Sequence, residues 1–94
     1  MIRHVILWKF KENTEAQQAE FLHGLLSLYG VIPEIMNMEV GRNSGAEENY
    51  DACLIADFAD FDALHRYAVD PRHQAVAALC KEIRVSRVAV DYEV

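Results

Sequence analysis

Two segments with the alternation of β-strands carry apolar side chains on both of their faces. The segments are Ile2–Lys11 and Tyr50–Phe58. One face consists of Ile2, His4, Ile6, Trp8, Phe10, Tyr50, Ala52, Leu54, Ala56 and Phe58, and the other of Val5, Leu7, Cys53 and Ile55. A sheet with one face in water alternates apolar and polar residues, whereas a sheet covered on both faces does not. The helices of one chain can cover one face, so a second copy of the chain is expected to cover the other.

The composition predicts one ordered domain that spans residues 1–94. Hydrophobic residues make up 52% of the chain and charged residues 26%, which is typical of a globular protein. The net charge of −6 and the lack of a basic run argue against nucleic acid or an anionic membrane surface as a partner. No segment has the roughly 18 consecutive apolar residues of a membrane span, and no secretory signal is recognisable. Cys53 and Cys80 are then expected to be reduced thiols in a cytoplasmic protein.

The segment after the first predicted strand has the signals of a helix. Thr14–Gln17 matches a capping box, in which the Thr and Gln side chains each satisfy a backbone amide at the start of the helix. Leu22 and Leu25 follow at helical spacing. Gly30 and Pro33 then predict where this helix ends.

The rest of the chain predicts a short strand, a broken helix and a last strand. Met36–Val40 alternates as a strand does, and the polar segment 41–49 is expected to connect it to the strand that follows. Asp60 is a candidate helix cap. Asp70-Pro71 should end this helix and start another, because Asp caps a helix well and Pro suits its first position. The β-branched segment Val85–Val94 predicts the last strand.

The order of elements is β-α-β-β-α-β, which predicts an α+β fold of the ferredoxin-like type. Such a fold has a four-stranded antiparallel sheet with both helices on one face. We expect Ile6, Trp8, Leu54 and Met38 to lie on the bare face, where they exceed the apolar patch that a soluble monomer normally exposes. Pairing two such sheets gives a dimeric α+β barrel with an enclosed pocket. The residues predicted to line this pocket are His4, Ile6, Trp8, Ala52 and Leu54.

Tyr67 and His73 are the candidate catalytic residues. They lie six positions apart, on different sides of a straight helix, but a kink at Asp70-Pro71 can bring them together. A neutral imidazole is the form that a general base requires, and a phenol hydroxyl beside it can polarise a carbonyl group. The alternative from spacing alone is that Tyr67 packs in the core and His73 bonds backbone at the start of a helix.

Other catalytic and cofactor patterns are absent from the sequence. There is no G-x-S-x-G motif and no dinucleotide-binding fingerprint, so no cofactor is predicted. There is also no H-x-H, H-x-x-x-H or C-x-x-C motif, so no metal site is predicted. A metal held by His4, His73 and an acidic residue stays open as a minor alternative.

Several short motifs together resemble the stress-responsive A/B-barrel (Dabb) family. His4–Lys11, with the sequence HVILWKFK, is similar to the H-V-V-L-F-K-F-K opening of many family members. The segment Tyr50–Phe58 resembles the family's Y-D … F pattern, and Tyr67–Val76 resembles its Y-x-x-H/D-P-x-H-x-x-V pattern. The resemblance covers essentially the whole chain and implies a homodimeric α+β barrel.

The resemblance also implies what the pocket could do. Plant polyketide cyclases of this family use a Tyr and a His for an aldol-type ring closure, and those roles fall on Tyr67 and His73. The pocket histidine of the first strand falls on His4. Two positions depart from the cyclases: Ala52 stands where a histidine can occur, and Leu25 where a tyrosine can occur.

The sequence therefore leaves three functions open. The first is the binding of a small, partly apolar carbonyl or phenolic compound, with cofactor-free acid–base chemistry of cyclase or lyase type by His73 and Tyr67. The second is a non-catalytic stress-responsive protein that binds a ligand or has a structural role. The third, by analogy of fold alone, is a cofactor-free monooxygenase.

Overall fold

Four strands and three helices make up the computed structural model, which describes residues 1–46 and 49–94. In chain order they are β1 (Ile2–Phe10), α1 (Glu15–Ser27), β2 (Asn37–Arg42), β3 (Ala52–Phe58), α2 (Phe61–Val69), α3 (Pro71–Ile83) and β4 (Arg84–Glu93). The strands form one antiparallel sheet in the order β2-β3-β1-β4. This confirms the ferredoxin-like fold, with its second helix divided into α2 and α3. None of the described helices has the length and apolar content needed to cross a membrane.

The polar connection predicted for residues 41–49 is described only in part. Its first residues extend β2 as far as Arg42. Asn43 then accepts a hydrogen bond from the backbone N–H of Gly45 at its side-chain oxygen, at 2.8 Å. Glu47 and Glu48, which belong to the same prediction, lie outside the described residues.

The break between α2 and α3 occurs at Asp70-Pro71, as predicted. Asp70 has an extended backbone conformation, and its carboxylate accepts a hydrogen bond of 2.8 Å from the backbone N–H of Arg72. Pro71 takes the first helical position, where its missing N–H costs no hydrogen bond. Asp60 caps α2 in the same way, by accepting a 2.8 Å bond from Ala63 N–H. Asp70 is thus both the C-terminal cap of α2 and the N-terminal cap of α3, so the two helices are separated by a single residue.

Helix α1 begins where it was predicted to begin, but the capping box does not form. The Thr14 side chain makes no capping hydrogen bond. Its hydroxyl instead donates to the carbonyl of Lys11 at 2.6 Å and accepts from the side chain of Gln18 at 3.0 Å. The prediction for Thr14 and Gln17 is therefore wrong, because the hydroxyl turns back toward the preceding residues. Gly30, three residues beyond the end of α1, has a φ of 87°, a conformation that favours glycine.

The helices cover the bulkier apolar face of the sheet. Ile6, Trp8, Leu54 and Met38 all lie buried beneath them. The ring of Trp8 meets Phe21 of α1 edge to face, with ring centroids 5.1 Å apart. The prediction that those four residues lie on the bare face is thus wrong. Packing the helices against the larger side chains removes more apolar surface from water than packing them against the opposite face.

The opposite face of the sheet is apolar as well, and no element of the described chain covers it. The strand register places Val5 beside Ile55 and Val90, and Leu7 beside Val88. Directly opposed residues point to the same face of a sheet. Leu7, Val88 and Val90 are exposed there. The strands therefore have two apolar faces, as predicted. However, the helices cover the face that was predicted to be bare, and the other face is the bare one. We call this surface the open sheet face.

Candidate functional site

Two adjoining cavities lie within one subunit, between the covered face of the sheet and the helices. The larger has a volume of about 490 Å³ and the smaller about 330 Å³. Both volumes are within the range of small-molecule sites. The cavities share Ile6, Tyr67, Ala68, His73 and Arg87. The site thus lies beneath the helices of one chain rather than between two facing sheets, which corrects the predicted location of the pocket.

Tyr67 projects from α2 to the boundary of the two cavities. The residue is only 2% exposed, and its ring packs against Phe58 with centroids 5.0 Å apart. Its hydroxyl is buried and has no hydrogen-bond partner among the residues that the structure describes. Buried hydroxyl groups are almost always hydrogen-bonded, so an unbonded one calls for an explanation. Burial raises the pKa of Tyr67, which keeps the phenol protonated and able to donate a hydrogen bond.

His73 reaches the same boundary from the first turn of α3. The kink at Asp70-Pro71 brings its ring against that of Tyr67, with centroids 4.3 Å apart. The Nδ1 atom lies 3.0 Å from the carbonyl oxygen of Ala68. Because a carbonyl oxygen can only accept, Nδ1 carries the hydrogen and donates. In the neutral ring the lone pair is then on Nε2.

The surroundings of His73 favour its neutral form. Burial is the main cause of the lowered pKa of His73, and electrostatic interactions with His4 and Arg87 lower it further. The hydrogen bond to Ala68 and the carboxylate of Asp70 act in the opposite direction but do not prevail. A pKa below its ordinary value leaves the imidazole uncharged at neutral pH. Within the described part of the chain, the neutral His73 ring thus has an unpaired Nε2 that can accept a proton.

His4 lies at the far end of the smaller cavity, where it is paired with Asp91. The two residues face each other across β1 and β4, and His4 Nδ1 is hydrogen-bonded to a carboxylate oxygen of Asp91. His4 was predicted to line the pocket, and it lies in the lining of the smaller cavity. Within residues 1–46 and 49–94, no three metal-ligating side chains gather into a group that could hold a metal ion. The alternative of a metal on His4 and His73 is therefore not supported.

The other predicted pocket residues do not all line the same cavity. Ile6, Trp8 and Leu54 line the larger cavity, and so does Leu25 of α1. Ala52 lines neither cavity, because it lies at the end of β3, where it borders a separate pocket beside the open sheet face. Its side chain is buried, and it is absent from the lining that Tyr67 and His73 share.

Arg87 was not among the predicted site residues, although it lines both cavities. It lies opposite Trp8 in the sheet, which directs it toward the helices. Lys81 and Arg84, from the end of α3 and the start of β4, also line the larger cavity. A signal was present in the sequence, because the charged residues Arg87 and Asp91 occupy one face of β4 at even spacing.

The fold and the site together define a ferredoxin-like domain in which a tyrosine and a histidine meet in a pocket with apolar and charged lining residues. The sequence matches the family described as Dabb: Stress responsive A/B Barrel Domain over residues 2–94. The chain belongs to this family.

Three similar proteins illustrate the range of this group. The uncharacterized protein SCO4036 of Streptomyces coelicolor is 34% identical over 97 residues, which cover 99% of each chain. A dimeric ferredoxin-like protein of unknown function from Thermobifida fusca has a solved structure with a TM-score of 0.89 and 32% identity, covering 99% of this chain and 90% of that one. Olivetolic acid cyclase of Cannabis sativa is 25% identical over 95 residues, covering 97% of this chain and 94% of the cyclase. These similarities show the family to which the chain belongs, but they do not assign it an activity.

Proposed function

We propose that this protein binds a small, partly apolar carbonyl or phenolic compound and performs cofactor-free acid–base chemistry on it, of the cyclase or lyase type. The observation that carries this proposal is the buried Tyr67 hydroxyl, which has no partner among the described residues and lies beside the neutral His73. A ligand carbonyl oxygen is the acceptor that such a hydroxyl needs. The similarity to a cyclase that belongs to the same group supports the type of reaction.

The proposed chemistry begins with the removal of a proton from a carbon next to a carbonyl group. His73 Nε2 takes this proton, and the electron pair of the broken C–H bond moves onto the carbonyl oxygen to give an enolate. The Tyr67 hydroxyl stabilises the developing negative charge by donating a hydrogen bond to that oxygen. In a cyclase, the enolate carbon then attacks a second carbonyl carbon, and the new alkoxide recovers the proton from His73.

An exchange experiment tests this proposal with a simple ketone in place of the natural substrate. The probe is 4-acetylbenzoate, whose methyl protons lie next to a ketone and exchange slowly with solvent deuterium. We expect the protein to accelerate this exchange, followed by proton nuclear magnetic resonance, well beyond an equal concentration of free imidazole. Calorimetry measures the binding of the probe separately. Binding without accelerated exchange would indicate a non-catalytic ligand binder and would contradict the proposed chemistry.

The pH dependence of the exchange follows from the two pKa shifts. The reaction needs neutral His73, so its rate should rise with pH up to the pKa of His73, which lies below the ordinary value of 6.5. The rate should then stay level through neutral and mildly alkaline pH, because the raised pKa of Tyr67 keeps its hydroxyl protonated. Exchange rates measured from pH 4 to 10 check this. A midpoint above 7 would contradict the assignment of His73 as the base.

The open sheet face supports the further proposal that two copies of the chain form a homodimer. The solved Thermobifida fusca neighbour is dimeric, and a large exposed apolar surface marks an interface. Val90 pairs with Val5 near the middle of this face and is exposed. We expect Val90→Glu to shift the protein from dimer to monomer in sedimentation velocity at micromolar concentration. The control is Val31→Glu, at an exposed valine between α1 and β2, which should leave the dimer unchanged.

A further inference from the structure

The lining of the larger cavity is positively charged, although the protein as a whole is acidic. The chain carries a net charge of −6 from 15 acidic and 9 basic residues. Lys81, Arg84 and Arg87 nevertheless line this cavity, and none of its described lining residues is acidic. Lys81 and Arg87 are exposed and Arg84 is half-buried, so water screens the repulsion among these like charges when no ligand is bound. Such an arrangement is favourable when an anion binds among them.

Arg87 is the most suitable of the three cations to contact a bound molecule. It lies on the covered face of the sheet and borders both cavities. Its charge acts on Tyr67 and His73, since it lowers the pKa of each. Within the described part of the chain, Arg87 makes no ion pair. Among the described residues Arg42 and Arg84 are likewise without an ion pair, whereas Arg3, Arg66 and Arg72 are paired with Asp57, Glu34 and Asp70.

We propose that the ligand is a carboxylate, and that Arg87 binds its carboxylate group while the Tyr67 hydroxyl binds its carbonyl oxygen. This inference rests on the proposed function, because it places the anion relative to the reacting carbonyl. The planar guanidinium group can form two parallel hydrogen bonds to a carboxylate, which fixes direction as well as position. Arg84 and Lys81 extend the positive potential around the larger cavity.

The opposite end of the site favours the same orientation. Asp91 lies in the lining of the smaller cavity, where it is paired with His4. A negatively charged ligand group is repelled by Asp91 and attracted by Arg87, so it should lie toward the larger cavity. Apolar residues between these ends, including Ile6, suit an aromatic or aliphatic body. Anchoring at two points holds a flexible molecule with its reactive carbon near His73.

Paired probes that differ only in charge test this inference. We compare 4-acetylbenzoate with 4-acetylbenzamide, which has nearly the same shape but no charge. Binding is measured by calorimetry and by the fluorescence of Trp8, the only tryptophan of the chain, which lines the larger cavity. The wild-type protein is expected to bind the carboxylate at least about tenfold more tightly than the amide. Equal affinity, or no detectable binding of the carboxylate at millimolar concentration, overturns the inference.

Variants then assign the preference to a particular residue. Arg87→Gln should abolish the preference for the carboxylate, and Arg87→Lys should retain part of it. Arg66→Gln makes the same change in net charge at an exposed ion pair with Glu34, and should leave the preference intact. A preference that persists in Arg87→Gln overturns the assignment. Circular dichroism confirms that each variant is folded. Binding of the carboxylate by Arg87→Lys is a second check that substitution at this position leaves the cavity intact.

Inorganic phosphate distinguishes a carboxylate site from a general anion site. Because the carboxylate probe also fills the apolar part of the cavity, phosphate is expected to compete with it only weakly. Competition by phosphate at concentrations equal to the probe overturns the proposal of a carboxylate ligand. A failure of the proposed function looks different: in that case the carboxylate is still preferred in an Arg87-dependent way, but no deuterium exchange occurs.

Discussion

Replacing His73 by alanine is expected to lower the rate of the proton exchange by about 100- to 10,000-fold, the usual contribution of a general base. The reason is that Nδ1 of His73 is held by the Ala68 carbonyl, so the ring presents Nε2 as its basic atom. His4 and His65 also line the smaller cavity, but among the described residues His73 is the histidine whose ring packs against that of Tyr67. Affinity for the probe should change by less than about threefold, since the imidazole contributes little of the apolar contact area.

A matched control and a rescue experiment make this result specific. His23 lies exposed on α1 outside both cavities, so His23→Ala should leave the exchange rate unchanged. Added imidazole can enter the space left in His73→Ala and should restore part of the rate. If His73→Ala instead keeps its full exchange rate, another group removes the proton and the proposed chemistry is wrong.

The fold could be predicted from the sequence because its signals are local. Alternation in β1, the Asp60 cap and the Asp70-Pro71 break each depend on a few neighbouring residues. The choice of which sheet face the helices cover is not local, because alternation shows two faces without showing on which side the helices lie. Side-chain volume offered a guide: Trp8 belongs to the bulkier face, whereas Leu7 is followed on its own face by Lys9.

The candidate site could be predicted only where it depends on one segment of the chain. Tyr67 and His73 lie on either side of a helix break that the sequence itself signals. Arg87 and Asp91 come from β4, and their direction depends on the register between β4 and β1. In that strand the apolar residues, such as Val88, point away from the helices, so the usual assumption of apolar residues facing the core fails.

Replacing Tyr67 by phenylalanine is expected to change activity and stability in opposite directions. Loss of a hydrogen-bond donor to a developing oxyanion typically lowers a rate by about 100- to 1,000-fold. The same change removes a buried hydroxyl that no described protein group satisfies, while the ring keeps its contacts with Phe58 and His73. A buried polar group without a partner is costly, so the free energy of unfolding should rise by about 1 kcal/mol.

Urea unfolding at a fixed protein concentration measures the second effect, because the stability of a dimer depends on concentration. Tyr29→Phe is the matched control: the Tyr29 side chain is 47% exposed, and its hydroxyl makes only a long 3.4 Å contact to the Met36 carbonyl. That variant should leave both rate and stability nearly unchanged. A Tyr67→Phe protein that is clearly less stable than the wild type would show that the hydroxyl contributes to the fold. Its place beside His73 would then be explained by packing, and the donor role in the proposed reaction would lose its main support.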